Sequence, residues 1–132
     1  MWTSGNQFVL LVNNIASISV GAFGIRNAAN SASFSAQSTT DLSDGNDHAV
    51  IGNYDPRRGV VEIWVDGTLE ATVLAPSVNN VSATVPLAIG NYVDAPSLEF
   101  DGQMAEFRYG PALTPQEITA CFAHADERYG IN

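Results

Sequence analysis

Lysine is absent from this chain, and five arginines are its whole basic inventory against fourteen acidic residues, a net charge of −9. A nucleic-acid-binding face needs clustered cations to displace the counterions of the phosphates. Only Arg57 and Arg58 are adjacent, so no polynucleotide partner is expected. Repulsion from anionic lipid removes a membrane surface for the same reason. The acidity itself reads as solubility. No apolar run is long enough to span a bilayer: Phe8 to Val12 is far short of the roughly twenty residues a helix needs. The opening Met1-Trp2-Thr3-Ser4-Gly5-Asn6-Gln7 has no basic n-region, so no signal peptide is expected. Cys121 is the only cysteine, which excludes an internal disulfide. With no His and Asp pattern around it, Cys121 reads as a small buried apolar residue. His48 and His124 are the only histidines. They show neither His-x-x-x-His spacing nor a Ser/His/Asp order, so neither a transition-metal site nor a triad is expected.

What the chain does have is alternation. Val61, Ile63 and Val65 alternate with Val60, Glu62 and Trp64, the period-2 pattern of a strand with one apolar face. Asp66-Gly67 supplies the positive φ values of a tight hairpin turn, and residues 69–74 return alongside. Glu62 reads as an ordinary polar-face residue sharing its side with Trp64. Further strands are expected at 8–12, ending in Asn13-Asn14, and at 18–25, 31–36, 47–54, 81–89 and 99–109, with a polar loop over 37–46. Pro86 marks the 81–89 strand as an edge or a bulge. The period then changes to 3.6. Thr114, Pro115 and Glu117 form an N-cap, a first helical residue and a capping box, and Gly130 ends the helix. The expected fold is all-β, an antiparallel sandwich with a short C-terminal α-helix, built as one domain over residues 1–132.

These residues resemble the concanavalin A-like, laminin-G-type jelly rolls. The likeness lies in Asp47-His48-Ala49-Val50, in Val61-Glu62-Ile63-Trp64-Val65-Asp66-Gly67 and in Leu87-Ala88-Ile89-Gly90-Asn91. It continues through Phe100-Asp101-Gly102-Gln103-Met104-Ala105-Glu106-Phe107-Arg108-Tyr109 and Leu113-Thr114-Pro115-Gln116-Glu117-Ile118. It covers residues 44–131, two-thirds of the chain. Two departures stand out. Asp47 occupies the place where the family has Trp, and the region before it is short, as if an N-terminal strand were missing. A sandwich lacking an outer strand exposes unpaired backbone groups. Phe8, Val9, Leu10, Leu11 and Val12 are therefore the expected docking segment, for a partner or a second copy.

The resemblance implies a superfamily that includes glycoside hydrolases, so catalysis has to be weighed. Retaining hydrolysis needs two carboxylates about 5–5.5 Å apart. Glu62 has Trp64 at i+2, and Asp66 at i+4 is already in the turn. Glu99, Asp101 and Glu106 do not keep one face, and the Glu-x-Asp-x-x-Glu strand of the related glucanases is missing. The chain is not expected to be an enzyme. Calcium is a possibility the resemblance raises, through Asp41, Asp44, Asn46, Asp47 and Asp94. Calcium takes six to eight oxygens, a solvated acidic loop explains the same residues, and no metal or other cofactor is assigned. Sugar rings stack on Trp or Tyr with Asp and Asn fixing hydroxyls. Trp64, Tyr54 and Tyr92, with Asn53 and Asp94, are the candidate ligand-binding residues.

Two functions follow as expectations. The first is a non-catalytic structural protein on a larger assembly, at the surface of a phage virion as a capsid decoration or tail-fibre domain. Particles released by lysis need no export signal, which accommodates an extracellular location. The alternative is a carbohydrate-binding, lectin-like module. A glycoside hydrolase relative ranks third.

Overall fold

The computed structural model describes residues 8–15, 17–26, 32–76, 89 and 100–131. Among these residues six strands and one helix follow in order: β1 (Phe8–Ile15), β2 (Ile18–Arg26), β3 (Ser33–Gln37), β4 (Val50–Asp55), β5 (Val60–Val65), β6 (Thr68–Leu74) and α1 (Pro115–Tyr129). They form two antiparallel three-stranded sheets, ordered β1-β2-β3 and β4-β5-β6. The sheets face each other, β2 lying over β4 and β5, and β3 over β5 and β6. This is the expected β-sandwich with a terminal helix, consistent with a jelly roll.

The alternation seen in the sequence decides which side chains meet. Val61 and Ile63 are fully buried, and Phe23, Ile25 and Ala36 of the opposite sheet pack on them. Val50 and Tyr54 join from β4, Ala71 and Val73 from β6. Gly52 faces Phe23 so closely that a Cβ there would lie 2.2 Å from the ring. Only glycine leaves room for that aromatic. The β5–β6 turn has Asp66 at φ 48° and Gly67 at φ 83°, the two positive values of the expected hairpin. A bulge at Ile63/Trp64 then shifts the register of β6.

Several boundaries differ from expectation. β1 does not stop at Asn13-Asn14 but pairs with β2 through to Ile15↔Ile18, because a hairpin ladder satisfies those backbone groups. β4 begins at Val50 rather than Asp47, since Ala49 N–H is taken by the Asp66 carboxylate. Residues 100–110 form no strand. Their apolar members Phe100, Met104, Phe107 and Tyr109 are spaced four, three and two apart, so no face of a strand collects them, and all four are exposed. The strand expected at 81–89 lies outside the described residues, apart from an exposed bend at Ile89.

The helix starts as its sequence requires. Thr114 accepts from the Glu117 N–H while Glu117 reaches back to the Thr114 N–H, and Gly130 closes the other end at φ 69°. Ile118 is fully buried. Cys121, expected inside, is only half-buried.

Candidate functional site

Among the described residues, the buried polar side chains of the β4–β5–β6 sheet, Asn53, Asp55 and Glu62, all lie on its outer face. Antiparallel pairing sets Asn53 opposite Glu62 and Asp55 opposite Val60. The 56–59 turn, with Gly59 at φ 62°, returns Arg58 over the same face. Arg58 Nη1 lies 2.9 Å from Glu62 Oε1 and its Nε donates to Asp55 Oδ2 at 2.9 Å. Asp55 also accepts from the Arg57 N–H at 2.9 Å. The Arg58 hydrogen bond, offset in part by burial and reinforced by the Arg57 and Arg58 backbone donors, holds the Asp55 carboxyl down at about 2. Glu62 is therefore not an ordinary polar-face residue. Its side chain is 2% exposed, and burying a carboxylate without a partner would cost several kcal/mol (roughly), which is why Arg58 closes over it. Asn53, also buried, donates Nδ2–H to Glu62 Oε2 at 3.3 Å and to Leu113 C=O at 3.1 Å, while Oδ1 accepts from Leu113 N–H at 2.9 Å. One amide thus fastens the approach to α1 onto the sheet.

The candidate ligand residues are divided between faces. Tyr54 opposes Val61 and packs into the core between the sheets. Trp64 points to the other side, half-buried, opposite Ile51 and Leu69. The two aromatics do not form one platform. The Asn53 amide is committed to Glu62 and Leu113. Tyr92 and Asp94 lie outside the described residues. Trp64 keeps one distinctive feature, an indole N–H shielded from water with no acceptor. A buried donor left unpaired is uncommon in folded proteins.

The docking segment lies in β1, which pairs with β2 and is, among the described residues, the edge of its sheet. Phe8, Leu10 and Val12 oppose Ile25, Phe23 and Gly21, so they look toward the second sheet, while Val9 and Leu11 look away. Because β2 already covers β4, β1 overhangs the sandwich. Phe8 reaches the core and stacks on Tyr109 with ring centroids 5.1 Å apart. Leu10 and Val12 are each 42% exposed.

The acidic loop before β4 is arranged around its own backbone. Asp41 Oδ1 accepts from the Ser19 and Ser43 N–H groups at 3.0 Å, fastening the loop to β2. Asp44 accepts from Asn46 N–H and Nδ2–H, each at 2.8 Å. The Ser43 hydroxyl, which donates to Asp41 Oδ1 at 2.6 Å, and then the Ser19 and Ser43 N–H groups hold the Asp41 carboxyl below its usual value, and the Asn46 donors do the same for Asp44. Among the described residues no group of three or more His, Cys, Asp or Glu side chains is placed to hold a metal ion. Asp44, Asn46, Asp47, His48 and Asp66 instead line one side of an open cleft of about 450 Å³, whose other side is the helix end, Tyr129 to Ile131. His48 reaches Asp66 Oδ2 from Nδ1 at 2.7 Å and Asp44 Oδ1 from Nε2 at 3.0 Å.

Reading the sequence did not find the roles of Arg58, Asp55 and His48. The available signal was parity: Asn53 and Asp55 share the outward phase of one strand, Glu62 that of the next, and a short turn with two arginines joins them.

In comparisons with known proteins, a laminin-G-type family model described as the concanavalin A-like lectin/glucanases superfamily matches residues 2–119. No curated protein and no solved structure was matched.

Proposed function

We propose that this chain, which belongs to the concanavalin A-like lectin/glucanase superfamily, is a non-catalytic interaction protein mounted on a larger protein assembly through β1. The observation that carries this reading is β1 as the edge strand among the described residues, with Leu10 and Val12 partly exposed beside it. An edge offers unpaired N–H and C=O groups, and apolar side chains beside it give a partner area to bury. The absence of catalysis is supported by the use already made of the buried carboxylates on the outer face of the β4–β5–β6 sheet. Asp55 and Glu62 are both tied to Arg58, whereas glycoside hydrolysis needs one acid and one base or nucleophile free to reach a sugar. For the setting we propose a phage virion surface, as a capsid decoration or tail-fibre domain. An acidic, lysine-free body suits an outward-facing surface while an apolar edge stays anchored.

Co-sedimentation with empty phage capsids tests the proposal. The intact chain is expected to pellet with the particles, and Leu10→Lys/Val12→Lys to weaken that binding by roughly tenfold or more, since a charge in an apolar contact forfeits its main energy. An intact chain that stays in the supernatant, or a variant that binds equally well, overturns the reading.

One observation favours a second reading, a carbohydrate-binding module. The half-buried Trp64 lies on the outer face of its sheet, where part of its apolar ring stays accessible to stack on a sugar. On a glycan array, the intact chain should then bind and Trp64→Ala should not. No binding by the intact chain removes this alternative.

A further inference from the structure

We infer that His48 is a proton-dependent latch, holding the 41–48 loop to the β5–β6 hairpin at the mouth of the cleft that the end of α1 closes from the other side. The inference is independent of what docks on β1.

The geometry requires two donors from one ring. Both nitrogens of His48 lie within hydrogen-bond distance of a carboxylate oxygen, Asp66 Oδ2 at 2.7 Å and Asp44 Oδ1 at 3.0 Å. Carboxylates only accept, so both contacts are satisfied by imidazolium alone. A neutral ring has one N–H. Its other nitrogen would turn a lone pair toward an anion. The two partners belong to different elements. Asp66 sits in the hairpin turn, where its second oxygen also takes the Ala49 N–H at 2.8 Å. Asp44 organises the loop through Asn46. The charged ring therefore joins two pieces that share no strand pairing.

The contacts are unequal, which sets the order of release. Asp66 is nearer and its side chain is 20% exposed, against 39% for Asp44. A neutral ring keeps Nδ1–H on Asp66 and lets Asp44 go. The groups facing the ring are Asp44 on its own loop and Asp66 on the hairpin, with Asp47 and the Tyr129 phenol also lining the cleft. Tyr129 donates its hydroxyl to Glu106 at 2.9 Å, so it does not compete for His48. Burial alone would lower the basicity of His48, but the hydrogen bonds and charges of Asp66 and Asp44 outweigh it and raise the pKa above 6.5. A raised value in the folded state means that the latch is complete below the ordinary histidine pKa and is lost as pH climbs through the folded one.

Two measurements on the whole chain test this. In an NMR titration the His48 ring should change charge above the pH of an unstructured histidine. Over the same interval, amide exchange in residues 42–47, corrected for its intrinsic pH dependence, should speed up roughly tenfold, the scale of one lost charge-assisted hydrogen bond. His48→Gln should exchange fast at every pH with no step, while His124→Gln keeps the step. Titration at or below the ordinary value, or a loop whose exchange shows no step in the intact chain, overturns the proposal. So does a step that survives His48→Gln.

Discussion

Ile63→Ala should lower the unfolding free energy by about 2–5 kcal/mol, the range for truncating a fully buried aliphatic side chain. Ile63 is 0% exposed in the middle strand of its sheet. It opposes Gly52 on one side and Ala71 on the other, and its Cδ1 lies 3.1 Å from where a Cβ on Gly21 would stand. Its neighbours are therefore small, and they cannot lean in to fill the space it leaves. A cavity between two sheets persists because each is held by its own ladder, which places the cost toward the upper part of the range. Urea unfolding checks this, with Leu74→Ala as the control. Leu74 is 74% exposed and its truncation should cost within about 0.5 kcal/mol. Equal, small effects at both positions would mean that the two sheets do not enclose Ile63.

Asn53→Ala should cost about 2–4 kcal/mol, more than its size suggests. Three hydrogen bonds end on that amide. Alanine leaves the Leu113 N–H and C=O unpaired at a partly buried site and removes a donor from buried Glu62. Each stranded group costs about 1–3 kcal/mol, reduced where water can reach it. The loss should have an address. Amide exchange in residues 113–129 should accelerate more than in β4 and β5, because the sheet keeps its own ladder while the approach to α1 loses its fastening. Uniform acceleration would indicate that Asn53 serves the sheet alone, and no change in stability would contradict the contact with Leu113.

The sheets were legible wherever local signals agreed. Alternation in Val60 to Val65, the Asp66-Gly67 turn and the Thr114-Pro115-Gln116-Glu117 cap each rest on contacts within a few residues, so the sequence displays them directly. What it concealed depends on pairing across the chain. Glu62 looks solvent-facing until Arg58 and Asn53 are brought beside it. His48 looks like a strand residue until the hairpin returns Asp66 to within 2.7 Å. Tyr54 and Trp64 look like one aromatic cluster, yet opposite phases in paired strands send them to opposite faces. The stretch 100–109 formed no strand for a different reason. Its apolar residues suit burial, but their irregular spacing gives no single face to bury.

Backbone hydrogen exchange in Phe8 to Val12, measured on the free chain and again on capsid-bound chain, tests the edge-mounting claim most directly. On binding, the β1 amides that β2 leaves unpaired should slow markedly, while β5, already enclosed, should not change. A bound chain whose β1 exchanges as fast as before, with protection gained elsewhere, would contradict mounting through this edge.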